Sequence, residues 1–512
     1  MEKEKKRSNK NIKIGMIISY VTLAVSILIY LFFTPYCLKQ LGDSEYGLRS
    51  FASSISSYLT ILSFGISSTY IRYRLVAIKK EGEEGEKRFN GLYFLIFVVI
   101  GLISLILGVV IVFLLKYNVI PTTKYTDAEK NILYRLVFIL IVNVSLSFPL
   151  GVFTQFSTAK EKFIWTRSMV LLTDILTTLF GFIVLFFGYK SIAMTLVTLG
   201  VSVVIGLLNI FYSIHILKMK FNFKLKKDDL IVLKDMLNFS LFVGLNLIVD
   251  ELNSQADPLI IGFMLGAKYV TIFNIGRQFR SYLGVMSTTI SSSFAPRIYE
   301  YELSGEKEKV NNLFNLVCSL QLIILFFIVG GFTACGKEFI LSWLGESKIE
   351  SYYVAIPIMA VAIVPLSQNI SIEVQRAMKK HKFRAYAYLI IALINVGSSI
   401  LLCHFIGMMG CVIGTVFSLI VGQYICINIY NQKVIGLPIK QYWVNYLRFL
   451  IPTLVSVLLA YCLDFLKPYI SSTLLLFFAK GTTFVLSYLV INLLFNKKIL
   501  KRIYTEFRYG EM

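Results

Sequence analysis

The sequence predicts an all-α polytopic membrane protein of about fourteen transmembrane helices, and three observations carry that expectation. First, 56% of the 512 residues are apolar and 16% are charged, against roughly 25% charged in a soluble domain. Second, apolar runs of about 20 residues recur along the whole length, each long enough as a helix to cross a hydrocarbon core of about 30 Å. Third, the basic residues fall in short tracts that alternate with those runs. Helix is the required conformation, because a lone span in lipid must satisfy its own backbone hydrogen bonds.

The spans fall at residues 12 to 37, 47 to 72, 92 to 115, 132 to 156, 166 to 187, 190 to 217, 238 to 263, 269 to 296, 312 to 334, 352 to 374, 385 to 406, 408 to 430, 446 to 465 and 472 to 495. The basic N-terminus followed by span 1 mimics a secretory signal. That span is too long for a signal core, lacks a small-x-small cleavage site and precedes many others, so it reads as the first helix. Counted with the residues flanking each span, Lys and Arg number 37 on the N-terminal side and 9 on the other. Arg49, Arg135, Arg277, Arg280 and Lys480 lie within spans. The positive-inside rule then makes both termini cytoplasmic, in a bacterial or archaeal cytoplasmic membrane. No loop exceeds about 25 residues, which excludes a soluble catalytic domain on either face.

The net charge of +22 sits in interhelical tracts and not on a separate basic domain, which favours anionic lipid contact over nucleic acid. The seven cysteines are scattered, mostly inside apolar runs and without a CxxC pair, as expected of small core residues.

The two halves repeat. Leu41-Gly42 and Tyr46 after span 1 correspond to Leu265-Gly266 and Tyr269 after span 7, and Ser57-Tyr58-Leu59 to Ser281-Tyr282-Leu283 at the same offset. Gly85-Glu86-Lys87 matches Gly305-Glu306-Lys307, and Gln155 with Lys160-x-Lys162-Phe163 matches Gln375 with Lys380-x-Lys382-Phe383. Small residues open span 6 (Gly188, Ser191, Thr195) and span 12 (Gly407, Gly410, Gly414), where close backbone approach is expected. Pro149 and Pro365 are corresponding kink candidates in spans 4 and 10. Each unit has an even number of spans, so the repeats are parallel, a layout suited to alternating access. The expected domains are an N-lobe at 1–217, a cytoplasmic linker at 218–237, a C-lobe at 238–430, and two peripheral helices with a basic tail at 431–512.

This 6+6+2 order resembles the polysaccharide-transporter family, the Wzx-type flippases of the multidrug/oligosaccharidyl-lipid/polysaccharide (MOP) exporter superfamily. The residues that carry the resemblance are Leu41-Gly42-x-x-x-Tyr46-Gly47, the basic Ala159-Lys-x-Lys-Phe turn, and Asp257-Pro-x-x-Ile-Gly262-x-x-Leu265-Gly266. The resemblance implies a MATE-like fold. It also implies movement of undecaprenyl-diphosphate-linked oligosaccharide units to the outer leaflet for capsule, O-antigen or exopolysaccharide, with a polymerase or other assembly proteins as partners. The alternative within the superfamily is a multidrug/cation antiporter, for which an acidic cavity would be expected.

A diphosphate needs a polar path, and guanidinium suits it by bidentate bonding at any physiological pH. Arg277 and Arg280, three apart in span 8, share a helix face, and Arg49 occupies the corresponding span 2. Together they form a candidate two-lobed cationic clamp, set against the plainer reading that Arg49 snorkels to the interface. Asp250, Glu251 and Asp257 gather in span 7, with Asp250, Ser254 and Asp257 on one face. They are candidates for ion pairing with the span 8 arginines or for H⁺ or Na⁺ coupling. Arg72 and Arg74 read as topology signals, Asp174 and Glu373 as lesser candidates, and Lys480 as a snorkelling side chain.

Gly331-x-x-x-x-Gly336-Lys337 approaches a phosphate-binding loop, but Glu338 stands where Ser or Thr would hold Mg²⁺. His215, His381 and His404 are too dispersed for a metal site. No cofactor is expected, and neither an ATP site nor a catalytic constellation is visible, so the reading is a transporter and not an enzyme. A membrane glycan polymerase or glycosyltransferase would usually bring a sizeable loop with catalytic carboxylates.

Overall fold

The computed structural model describes residues 2–509 except positions 64, 121, 225, 381, 470 and 471. Side chains are described from residue 18 onward, except at 19, 20, 68, 227–231, 239, 241–243, 466, 467, 469, 504 and 507–509. His381 and the side chains of the N-terminal basic run therefore lie outside the described residues. The described residues are mostly helical, without a strand. The helices are α1 (Glu2–Ser57), α2 (Tyr70–Lys116), α3 (Asp127–Ala159), α4 (Phe163–Phe186), α5 (Ser191–Phe211), α6 (Lys227–Met264), α7 (Ala267–Leu303) and α8 (Lys307–Leu344). They continue as α9 (Glu350–Ser367), α10 (Ile370–Ala377), α11 (Lys382–Ile406), α12 (Met408–Leu419), the single turn α13 (Asn428–Tyr430), α14 (Ile439–Cys462), α15 (Thr473–Phe495) and α16 (Lys497–Tyr509).

Eleven helices among the described residues are long and apolar enough to cross a membrane. The difference from the fourteen sequence spans has two sources. Spans 1 and 2 run together in α1 across Gly42 (φ 75°), and the end of span 2 runs into span 3 within α2 across Glu81 and Gly82. Spans 7 and 8, which correspond to α6 and α7, are not among the eleven. α7 interleaves its apolar residues with amides, hydroxyls and charges, whereas several α6 side chains lie outside the described residues; these two helices hold most of the candidate site residues.

The backbone reproduces the repeat more completely than the letters do. Among the described residues, thirteen take a left-handed φ, and twelve of them pair across the halves: 42 with 266, 82 with 305, 118 with 345, 161 with 379, 188 with 407 and 218 with 436. Each marks a helix end or a kink within a merged helix, the kind of position where the chain changes direction. The pairing also corrects one sequence match. Gly85, aligned with Gly305 by its neighbours, sits inside α2 against the Ala77 carbonyl, and the turn that corresponds to Gly305 is made by Gly82. The unpaired thirteenth residue is Gly65 (φ 71°), which interrupts the second span of the first half, whereas α7 runs unbroken. Matching π-turns, Tyr212–Ile216 and Asn431–Ile435, close the sixth and twelfth spans.

The chain forms two compact units, Met1–Thr271 and Ile272–Met512. In the first, α3 packs against α1, α2 and α5, and α4 packs against α1. An aromatic cluster of Tyr70, Phe89, Tyr93, Phe97, Phe148 and Phe153 fills the space between α2 and α3. In the second, α8 is the central helix, packed against α9, α14 and α15. The last two spans thus bury Phe449, Val457, Phe484 and Tyr488 in one core with Leu322, Leu325 and Phe326 of α8.

Close approach at span 12 is present: a Cβ on Gly410 would stand 2.2 Å from the Leu402 carbonyl carbon, and one on Gly414 2.7 Å from Ser399 Oγ. Span 6 uses the corresponding residues differently. Ser191 donates its hydroxyl (2.8 Å) and its amide (3.3 Å) to Glu45 Oε2, a carboxylate at a helix N-terminus. Of the two prolines, Pro149 lies within continuous α3, while Pro365 lies three residues before Gln368, where α9 gives way to α10.

Among the glycines of the first unit, the closest approach is at Gly47, where a Cβ would stand 2.0 Å from the Ala267 carbonyl oxygen. Gly47→Ala is expected to cost about 1–3 kcal/mol by overpacking. A lower melting temperature of the purified protein in detergent checks it, and an unchanged melt would refute it.

Candidate functional site

In the first unit the site begins where α1 loses its regular path. Ser56 and Thr60 return their hydroxyls to the carbonyls of Ala52 and Ser57 (both 2.7 Å), and Thr69 does the same to Ile66 (2.7 Å). Hydroxyls that bond the local backbone compete with helix, and 3₁₀ turns at Tyr58–Ser63 and Ile66–Thr69 follow. α6 lies along this stretch. Ser54 Oγ donates to Gln255 Oε1 (3.0 Å), and Thr60 Oγ1 donates to Glu251 Oε1 (3.3 Å). Asp257 is buried beside them at 5% exposure, while Asp250 and Ser254 are exposed. The shared face expected from the seven-residue spacing therefore crosses from open surface to interior over two turns.

α6 is held in this register by aromatic and backbone contacts. Gly262 accepts the Phe51 ring, which meets Phe263 edge-on at 4.9 Å, and Tyr125 donates its hydroxyl to the Gly262 carbonyl (2.6 Å). Thr271 Oγ1 donates to the Asp43 carbonyl (2.7 Å). Gly47 and Gly262, one from each of the Leu-Gly-x-x-x-Tyr-Gly and Ile-Gly-x-x-Leu-Gly motifs, are thus the points where the first span pair meets the start of α7 and α6.

Arg49 follows Gly47 by less than one turn. Its guanidinium is turned inward, with Nη2 donating to Thr198 Oγ1 of α5 at 3.4 Å and Nε buried. That geometry differs from a side chain reaching out to an interface.

In the second unit Arg277 and Arg280 sit on α7, three residues apart and partly exposed. The turn that carries them is pinned on both sides. Gly276 packs against Ser351 and Val354 of α9, and the Phe279 ring lies 4.6 Å from Phe332 and 6.3 Å from Trp343 of α8. Two turns further on is a polar seam that sequence reasoning did not single out. Ser287 Oγ donates to the Leu366 carbonyl (2.6 Å), Gln321 Nε2 donates to Ser291 Oγ (2.7 Å), and Asn369 Nδ2 donates to Ser287 Oγ (2.8 Å). The seam meets the break between α9 and α10. Pro365 and the amide of Gln321, midway along span 9, were its signals in the sequence.

The lesser candidates have structural partners. Asp174 accepts from Ser26 Oγ (2.8 Å), and Glu373 pairs with Arg376 (2.9 Å). Arg74, 5% exposed, bonds Glu86 through Nε (2.8 Å) and Nη2 (2.5 Å), and Lys160 shares that carboxylate at 3.2 Å. Lys480 is a correction. It does not reach outward but is 1% exposed, bridging Glu338 Oε1 (2.8 Å) and Asp464 Oδ1 (2.7 Å). Two carboxylates across a helix interface outweigh the outer surface as a partner for its ammonium. Glu338, the residue that spoils the phosphate-loop match, is thus a buried ion-pair partner within α8. Among the described residues no group of three or more His, Cys, Asp and Glu side chains could hold a metal ion, and all seven cysteines are free.

The chain shares its fold with solved flippase and MATE transporter structures. The structure titled "Lipid II flippase MurJ, inward closed conformation" aligns with a TM-score of 0.72 and 15% identity, over 95% of this chain and 99% of that one. A point mutant of the Vibrio cholerae MATE transporter VcmN aligns with a TM-score of 0.57 and 15% identity, over 85% and 99% of the two chains. The profile of the family described as "Polysaccharide biosynthesis protein" matches residues 12–302, and the chain therefore belongs to that family. It is also 23% identical over 427 residues to "Uncharacterized membrane protein EpsK" of Bacillus subtilis (strain 168), covering 80% of this chain and 81% of the relative.

Proposed function

We propose that this protein is a flippase that moves undecaprenyl-diphosphate-linked oligosaccharide units from the cytoplasmic to the outer leaflet, for capsule, O-antigen or exopolysaccharide assembly. The observation that carries the reading is the placement of opposite charges on α6 and α7. In a polysaccharide biosynthesis family member, two helices consecutive in the chain bear Asp250, Glu251 and Asp257 on one and Arg277 and Arg280 on the other. Charge inside a membrane bundle is costly and marks a substrate or ion path.

In this reading the guanidinium groups of Arg277, Arg280 and Arg49 hold the diphosphate, whose oxygens they match bidentately. The acidic residues of α6 either balance that charge between substrates or take up H⁺ or Na⁺. The lobes are 1–217 and 238–430, working by alternating access around the charged helices. The basic excess on the N-terminal side supports cytoplasmic termini in the inner membrane, and the polymerase that consumes the flipped unit is the natural partner.

Deleting the gene tests it, with surface polysaccharide and lipid-linked units on the cytoplasmic leaflet measured together. Loss of polymer with stranded precursor, restored by the intact protein, is expected. Normal polymer without accumulation, in a strain with no second flippase, would overturn the reading in favour of drug export.

A further inference from the structure

A chamber with charged and aromatic groups set in a largely apolar wall lies within the Ile272–Met512 unit. It is partly open, has a volume of about 490 Å³, and sets Lys337, Glu338, Asp464 and Lys480 and three tyrosines (352, 353 and 461) beside the apolar Ile356, Pro357 and Met409. Its floor is the buried Glu338–Lys480–Asp464 bridge, with the Lys480 ammonium 5.2 Å from the Tyr461 ring centroid. Its aromatic wall is fixed from behind. Tyr352 and Tyr461 both donate to the Thr333 carbonyl (2.9 and 2.8 Å), their hydroxyls are 3.2 Å apart, and Tyr353 stands edge-on to Tyr352 at 5.3 Å. Tyr353 itself is 45% exposed.

The charges define the class of ligand. Two carboxylates oppose two ammonium groups, so the chamber has no formal net charge. A free anion would meet the carboxylates, and a cation would meet the lysines. A neutral, hydroxyl-rich molecule meets donors and acceptors alike, and the tyrosine rings present flat apolar faces for the C–H side of a sugar ring. The position fits as well. Phe332 touches Tyr352 at 5.9 Å on the chamber side and Phe279, between Arg277 and Arg280, at 4.6 Å. One aromatic ring therefore separates the chamber wall from the turn that carries the two arginines.

We infer that this chamber is a saccharide subsite, which receives the neutral glycan of a lipid-linked substrate while its diphosphate is held at α7. The inference rests on the flippase reading and deepens it by assigning the sugar its own binding surface, built by α8, α9 and the two spans outside the repeat.

The test uses the full-length protein in nanodiscs and two probes, farnesyl diphosphate and farnesyl-diphosphate-linked disaccharide. The intact protein is expected to bind the glycosylated probe about tenfold more tightly, the scale of one stacked ring with one or two hydrogen bonds. Tyr353→Ala and Lys337→Gln, both on the chamber wall away from the buried bridge, should each erode that gain and leave affinity for farnesyl diphosphate unchanged. A gain that survives intact in both variants would overturn the saccharide subsite while leaving the flippase reading in place. No binding of either probe by the intact protein would overturn both.

Discussion

Replacing Arg277 and Arg280 together by Ala is expected to abolish export of surface polysaccharide while leaving the protein at near-normal abundance. Each guanidinium can form charge-assisted bonds worth about 1.5–3 kcal/mol to a phosphate, so each single variant should lose roughly tenfold to a hundredfold in transport. Abundance should hold because the turn is anchored by Gly276 against α9 and by Phe279 against α8, contacts that neither substitution touches. Arg280→Lys separates charge from geometry: an ammonium keeps the charge and loses the planar fork, so partial recovery is expected. Transport at the normal rate in the double variant, measured against immunoblotted protein, would remove the clamp from the mechanism.

The largest expected effect on stability is at Lys480. Lys480→Met leaves Glu338 and Asp464 facing each other without their cation, and breaking a buried pair in this way costs about 3–5 kcal/mol. Asp464 is 35% exposed and can be hydrated, so Asp464→Asn should be milder. Combining Lys480→Met with Glu338→Leu should recover part of the loss, because an apolar pair of similar volume avoids the uncompensated charge. Melting temperatures of the parent and the three variants in one detergent give the comparison. A Lys480→Met variant that melts with the parent would show that the bridge is not holding α15 to α8.

Lys480 also shows where reading along the chain stops. In the sequence it is one cation in an apolar run near the C-terminus, for which reaching an interface is the cheapest solution available. Its partners lie 142 positions back in α8 and 16 positions back beyond α14. Nothing local to any of the three residues links them. The Ser287–Gln321–Asn369 seam was hidden for the same reason: each member is an ordinary polar residue, and only the meeting of α7, α8 and the α9–α10 break makes them a network. Gly85 and Gly82 show a subtler limit. Matching letters favoured Gly85, but the turn requires a left-handed residue three positions earlier, and φ is not written in residue identity when several glycines are near.

Hydropathy, basic-tract asymmetry and the repeated order of turns are additive along the chain, because each residue contributes by its own transfer energy, charge or backbone preference. Those properties were enough to establish an all-helical membrane protein with two related halves, and to place Arg49, Arg277, Arg280, Asp250, Glu251 and Asp257 on particular helices. Which of these face inward depends on packing. Asp257 is buried and Asp250 exposed two turns apart on one helix, and Arg49 turns toward Thr198 instead of the surface. Burial and ion pairing are relations between distant segments, with energies that exist only once the helices have met, so they came from the folded chain alone.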